Sequence, residues 1–236
     1  MLLLFDIDGT LLIRAADAHR QALHAAIREV DRVDVDDAFV LTAGRTDLAI
    51  MRSLLTLAGV DARAIDDGVQ ARCAAACVAY ARLCPSDLSA QVAPGVTPAL
   101  KRLAAAGHTI ALVTGNLEPI ARLKLRRAGL GKWFSTGAGG FGSDHEDRSE
   151  LPGVARRRAA QLMHGPAATP LPRDDAVVIG DTPLDVACAH ADGVRCVGIT
   201  TGPHGAQDLV GADAIIAGMA ELESVLDGWS AASGSQ

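Results

Sequence analysis

The sequence predicts an α/β protein in which a doubly wound parallel sheet receives an all-helical cap as an insertion. Three observations carry this reading. Short apolar runs recur at residues 2–5, 109–113, 176–179 and 194–199, each stopping at a polar or glycine-rich turn, as strands buried on both faces do. Helical patterns separate the later runs. The first run is parted from the second by residues 14–92, which carry helical spacing and no strand pattern. A sheet of this kind holds its ligand crevice beyond the carboxyl ends of the strands.

Each element has its own warrant. "LLLF" (2–5) is a continuous apolar run cut off by two aspartates. Leu23, Ile27 and Val30 are spaced for one face of a helix, and an Ala/Cys-rich segment from 69 to 84 continues the helical insertion. "PALKRLAAAG" and "LEPIARLKLRRAGL" flank the strand "TIALV" (109–113), and an Arg-rich helix is expected over about 150–163. "HGPAATPLPRDD" (164–175) is a connector, because its prolines forbid helix continuation. "AVVI" (176–179) and "VRCVGI" (194–199) supply two more strands, and "SAASGSQ" closes the chain as a loose tail. The expected boundaries are 1–13 and 93–236 for the α/β core and 14–92 for the cap.

Bulk composition narrows the partners. The 236 residues are 49% hydrophobic, enough for one sizeable core. A net charge of −6 argues against nucleic acid or an anionic membrane, since counterion release needs a basic surface. Five cysteines, odd in number and without paired zinc-type spacing, read as reduced thiols, which with the short first apolar run gives a cytoplasmic expectation. A monomer or a homodimer is expected.

The chemistry concentrates in three stretches. In "FDIDGTL", Asp6 and Asp8 are two residues apart, so in a continuing strand both side chains would share a face, and Gly9 lets the backbone turn away. Crowding two carboxylates is costly unless a cation is shared, and oxygen pairs of this kind suit a hard divalent ion. "LVTGN" places Thr114 at a strand end, with Gly115 and Asn116 leading into a helix N-terminus whose N–H groups can cradle a phosphate. "GDTPLD" brings Asp181 just after a strand and Asp185 one helical turn later.

At these residues the sequence resembles the haloacid dehalogenase-like hydrolase superfamily, in its capped phosphatase branch. "FDIDGTL", "LVTGN" and "GDTPLD" match that family's first, second and fourth motifs in order, with a cap inserted after the first. The resemblance implies Asp6 as nucleophile, Asp8 as general acid/base and Thr114 as a phosphate hydrogen-bond donor. It also implies Mg2+ held by Asp6, the Asp8 backbone carbonyl and Asp181, with Asp185 beside it, and a small phosphorylated metabolite as substrate. A phosphosugar mutase built on the same phosphoenzyme is the alternative. A haloacid dehalogenase is the other, although that chemistry does not need Asp8.

The third motif departs from the common Ser-Lys-Pro form. Arg148, in "SDHEDRSEL", is the expected cation near the phosphate, with Lys124 in the helix after Asn116 as its rival. In the cap, Arg45 within "TAGRTDLAIM" is expected to meet the part of the substrate remote from the phosphate. "GAGGFG" (137–142) fits G-x-G-x-x-G but lacks the acidic residue about 20 positions on that a dinucleotide site needs, so it reads as a strand-end loop. The acidic turn around His145 reads as a cap for the next helix, and His204 as a loop residue.

Overall fold

The computed structural model describes residues 1–36 and 40–233 of the chain. Among the described residues, six strands form one sheet in the order β3-β2-β1-β4-β5-β6, every pairing parallel: β1 (Leu2–Phe5), β2 (Thr109–Thr114), β3 (Gly140–Phe141), β4 (Ala176–Gly180), β5 (Arg195–Ile199) and β6 (Ala214–Ile216). Strand alternation splits the core into two layers. Leu3, Phe5, Leu112, Val177 and Ile179 face one layer, and Leu2, Leu4, Val113, Val178 and Cys196 face the other. Burial on both faces is why the strands read as unbroken apolar runs.

The chain leaves β1 toward β2 and β3, then crosses back to place β4 on the other side of β1. The strand order therefore reverses between β1 and β4, where Asp6 and Asp181 follow directly on the strand ends. This is where an open α/β sheet forms its crevice.

Between β1 and β2 lie α1 (Asp17–Asp31), α2 (Asp47–Leu57), α3 (Ala62–Asp67), α4 (Val69–Leu83) and then α5 (Val96–Ala105). The N-cap side chains Thr46 and Asp61 accept from Ala49 N and Arg63 N, fixing the starts of α2 and α3. The insertion is pinched at its base: Ile13 N donates to Gln91 O (2.8 Å) and Ala93 N to Leu11 O (3.0 Å). The remaining helices are α6 (Glu118–Arg127), α7 (Leu151–His164), α8 (Pro183–Asp192) and α9 (Leu222–Ser233).

Three expectations change. "GAGGFG" is not only a loop, since Gly140–Phe141 pair with Val113–Thr114 as a short strand. A Cβ on Gly142 would stand 1.8 Å from Gly115 O, so glycine is required where this backbone packs against the end of β2. The tail is helical to Ser233, and residues 234–236 lie outside the described residues. β6 was invisible as a strand because only three residues pair at the sheet edge. All five cysteines are free thiols. Among the described residues, no helix is long and apolar enough to cross a membrane.

Candidate active site

β1 stops at Phe5, and Asp6 N donates to Ile179 O (2.9 Å), tying the first aspartate to the neighbouring strand end. Gly9 turns the chain at φ +93°, a conformation that favours glycine, and a Cβ there would lie 2.1 Å from Asp181 Oδ2. The turn thus closes on Asp181, whose Oδ1 accepts from Thr10 Oγ1 (3.0 Å) while its Oδ2 is buried without a partner. Gly202 closes on the same oxygen from the other side, a Cβ there falling 1.8 Å away.

Asp6, Asp181 and Asp185 are all buried, and one oxygen of each lies within 4.8 Å of the others. Burial and the neighbouring carboxylates push Asp6 up to about 7, although Arg148 opposes this, and push Asp181 up to about 8. Arg148 is the counter-charge. One of its terminal nitrogens reaches Asp6 Oδ1 (3.1 Å) and also donates to Asp185 Oδ1. Its Nε is buried with no partner, a donor left over for a further oxygen. Asp185 is otherwise committed: its Oδ2 accepts from Thr182 N (3.0 Å) and Thr182 Oγ1 (2.7 Å) in the capping box that starts α8. With both Asp185 oxygens partnered, Asp6 and Asp181 are the carboxylates with coordination capacity to spare. A buried, under-neutralised pair with an orphaned oxygen fits a divalent cation.

Asp8 stands apart from this cluster. Its Oδ2 accepts from Lys124 Nζ (2.5 Å) and Asn116 Nδ2 (2.9 Å), and its Oδ1 is buried and free. Burial alone would raise the Asp8 carboxyl, but Lys124 and these hydrogen bonds hold it below the usual carboxylate range. Lys124 itself is completely buried. The two cations weighed from the sequence are thus both present and divide the work, Arg148 serving Asp6 and Lys124 serving Asp8.

Other expected groups are placed differently. Gly115 and Asn116 line the crevice, whereas Thr114, fully buried, does not reach its wall and accepts from Asn116 N at 3.4 Å. The amides starting α6 are taken: Leu117 N donates to Asp47 Oδ2 (2.7 Å) and Glu118 N to Ser143 Oγ (3.2 Å). Arg45 borders the crevice, but one terminal nitrogen of its guanidinium donates to Ala49 O (3.1 Å) and Ser53 Oγ (2.9 Å) on α2 and the other to Leu41 O (3.4 Å), which holds it against the insertion rather than toward a ligand. The acidic turn does act as a cap, Asp147 Oδ1 accepting from Ser149 N (2.9 Å). The crevice has a volume of about 480 Å3 and is lined by Asp6, Asp8, Arg148 and Asp181 together with apolar side chains that include Leu23, Ile50 and Leu54.

A family model described as haloacid dehalogenase-like hydrolase matches residues 3–190. The chain belongs to that family. Among its curated relatives is a phosphoglycolate phosphatase of Rhodospirillum rubrum, 32% identical over 203 residues that cover 84% of this chain and 79% of that protein. A predicted phosphatase from Clostridium acetobutylicum superposes with a TM-score of 0.65 at 21% identity, covering 96% of this chain and 98% of that one. A β-phosphoglucomutase from Clostridium difficile superposes at 0.68 and 15% identity, covering 97% and 96%. The R. rubrum relative places this haloacid dehalogenase-like hydrolase in the capped phosphatase branch, and the two solved structures match its fold.

Within this hydrolase, sequence reasoning missed Thr10, His19 and Asp47. Thr10 stood inside the first motif and Asp47 inside the quoted cap stretch, two residues after Arg45. His19 carried only one signal, a buried position on α1, which does not separate a packed histidine from a functional one.

Proposed function

We propose that the protein is a Mg2+-dependent phosphatase that hydrolyses a small phosphorylated metabolite through an aspartyl-phosphate on Asp6. The observation that carries this reading is that two aspartates only two residues apart have opposite surroundings. Asp6 sits among carboxylates with one arginine, and Asp8 is paired with a lysine and an asparagine amide. Two carboxylates with divergent environments take two roles.

Asp6, the Asp8 backbone carbonyl and Asp181 would hold the metal, with Asp185 fixing Arg148 beside them. When bound, Mg2+ neutralises charge between the phosphoryl oxygens and the attacking carboxylate. An Asp6 oxygen attacks phosphorus in line, and the bond from phosphorus to the leaving oxygen breaks. Asp8 starts ionised, takes a proton from the monoanionic phosphomonoester, and passes it to that leaving oxygen. It then removes a proton from the water that attacks the aspartyl-phosphate, the bond from phosphorus to the Asp6 oxygen breaks, and the proton on Asp8 leaves with the inorganic phosphate, so that both carboxylates return ionised. The spare Arg148 Nε and the Gly115–Asn116 segment supply donors for the phosphoryl oxygens.

The R. rubrum relative supports a small phosphorylated acid as substrate, and the apolar side of the crevice leaves room for a larger body. The test is phosphate release from a panel of phosphomonoesters, including phosphoglycolate and hexose phosphates, with Mg2+ and with excess chelator. Release that needs Mg2+ supports the reading. Interconversion of hexose phosphates without phosphate release would replace it with the mutase.

A further inference from the structure

Five groups form an unbroken chain from the cap to Asp8. Lys124 Nζ donates both to Asp8 Oδ2 (2.5 Å) and to His19 Nδ1 (3.1 Å). A lysine has only donors, so His19 Nδ1 must accept, and Nε2 carries the ring proton and donates to Asp47 Oδ2 (2.9 Å). The same Asp47 oxygen accepts from Leu117 N (2.7 Å) at the start of α6. His19, Asp47 and Lys124 are 7%, 1% and 0% exposed, so this is no solvated surface pair. Burying such charges is costly unless every member is partnered, and here each is.

The chain joins two parts of the molecule. His19 and Asp47 belong to the helical insertion, whereas Asp8, Lys124 and Leu117 belong to the sheet and its own helices. Around it the cap is fastened to the strand ends: Asp47 N donates to Gly115 O (2.8 Å), Thr46 Oγ1 to Glu146 O (2.6 Å), and Arg52 Nε to Glu146 Oε2 (2.7 Å). Moving the insertion away from the sheet would break the relay at the His19–Lys124 and Asp47–Leu117 contacts together.

We propose that Asp47 is a positioning residue that acts through His19 and Lys124 on Asp8, so that the acid/base step depends on the cap being seated. This rests on the reading of Asp8 as acid/base. With the relay intact, Lys124 has two fixed acceptors and one place to stand, and Asp8 Oδ2 is pinned while Oδ1 is left without a partner. Without it, the ammonium and the carboxylate move as a pair, and misplacement of a proton donor by about 1 Å is enough to cost a large rate factor.

The test compares phenyl phosphate with 4-nitrophenyl phosphate, which fill nearly the same space but differ in how much their leaving oxygen needs a proton. Wild type, His19→Leu, Asp47→Asn and Asp8→Ala are assayed with Mg2+, with phosphoenzyme measured after acid quench. His19→Leu keeps both Asp47 backbone contacts and removes the relay, together with the packing of the His19 ring on Tyr80 (5.6 Å between centroids). It should lower kcat/KM for phenyl phosphate about tenfold more than for 4-nitrophenyl phosphate and raise the trapped phosphoenzyme, as a weaker form of Asp8→Ala. Asp47→Asn, which keeps its volume and an acceptor oxygen, should show a smaller split of the same kind. Equal losses on both substrates in His19→Leu and Asp47→Asn, with the split present in Asp8→Ala, would overturn the relay alone. No split in Asp8→Ala would overturn the acid/base reading and the relay with it.

Discussion

Replacing Asp6 by asparagine removes one ionisable group from a buried set of three without changing its volume, and the amide oxygen can still accept from Arg148. In the metal-free protein Asp6 is pushed from the usual carboxylate range up to about 7 by burial and by its acidic neighbours. Its folded-state pKa is raised, so the stability it contributes is complete below about pH 4 and is lost as pH rises through about 7. A displacement of that size is worth about 4 kcal/mol at 1.36 kcal/mol per pH unit, which is the ceiling on what Asp6→Asn returns at pH 8. For a chain of this length, realising half of it raises Tm by about 4–8 °C. The assay is thermal unfolding followed by circular dichroism in excess chelator at pH 5 and pH 8. The variant should gain at pH 8 and gain little at pH 5, and in separate assays with Mg2+ it should lose phosphatase turnover at both pH values. An unchanged or lower Tm at pH 8 would refute the view that the cluster is under-neutralised without a metal.

Arg148→Ala leaves Asp6 and Asp185 without their buried counter-charge and should cost about 3–5 kcal/mol in urea unfolding, with Arg148→Lys recovering part of it. Arg45→Ala removes hydrogen bonds to Ala49 O and Ser53 Oγ, so it should cost about 1 kcal/mol of stability and change kcat/KM equally for phosphoglycolate and for 4-nitrophenyl phosphate. A selective loss on the anionic substrate would show that its guanidinium meets the ligand. Gly142→Ala would force a methyl group against Gly115 O and should destabilise by about 1–3 kcal/mol, read as a lower urea midpoint with unchanged slope.

How far the sequence spoke for itself differs from element to element. The four core strands were legible because each is buried on both faces and so reads as an unbroken apolar run. β3 and β6 were not, because two- and three-residue edge strands carry no period. The convergence of Asp6 and Asp181 followed from motif order at adjacent strand ends. The partition of cations did not. Lys124 stands eight positions after Asn116, in the second turn of α6, yet it reaches Asp8 because its long side chain runs back through the buried interior. Arg45 illustrates the opposite limit: a lone cation in a cap loop looks like a ligand reader until the acceptors of the adjoining helix α2 are seen. His19 and Asp47 are 28 positions apart and meet only through tertiary packing of α1 against the start of α2.

The central claim is that Asp6 carries the phosphoryl group in a covalent intermediate, and the most direct measurement is to trap it. Asp8→Ala is mixed with 4-nitrophenyl phosphate and Mg2+, quenched in acid within the first turnover, and digested for peptide mass spectrometry. One added phosphoryl group is expected on the peptide containing Asp6, absent in Asp8→Ala that also carries Asp6→Asn. A stoichiometric burst of 4-nitrophenol with the phosphoryl group on any other residue would contradict it.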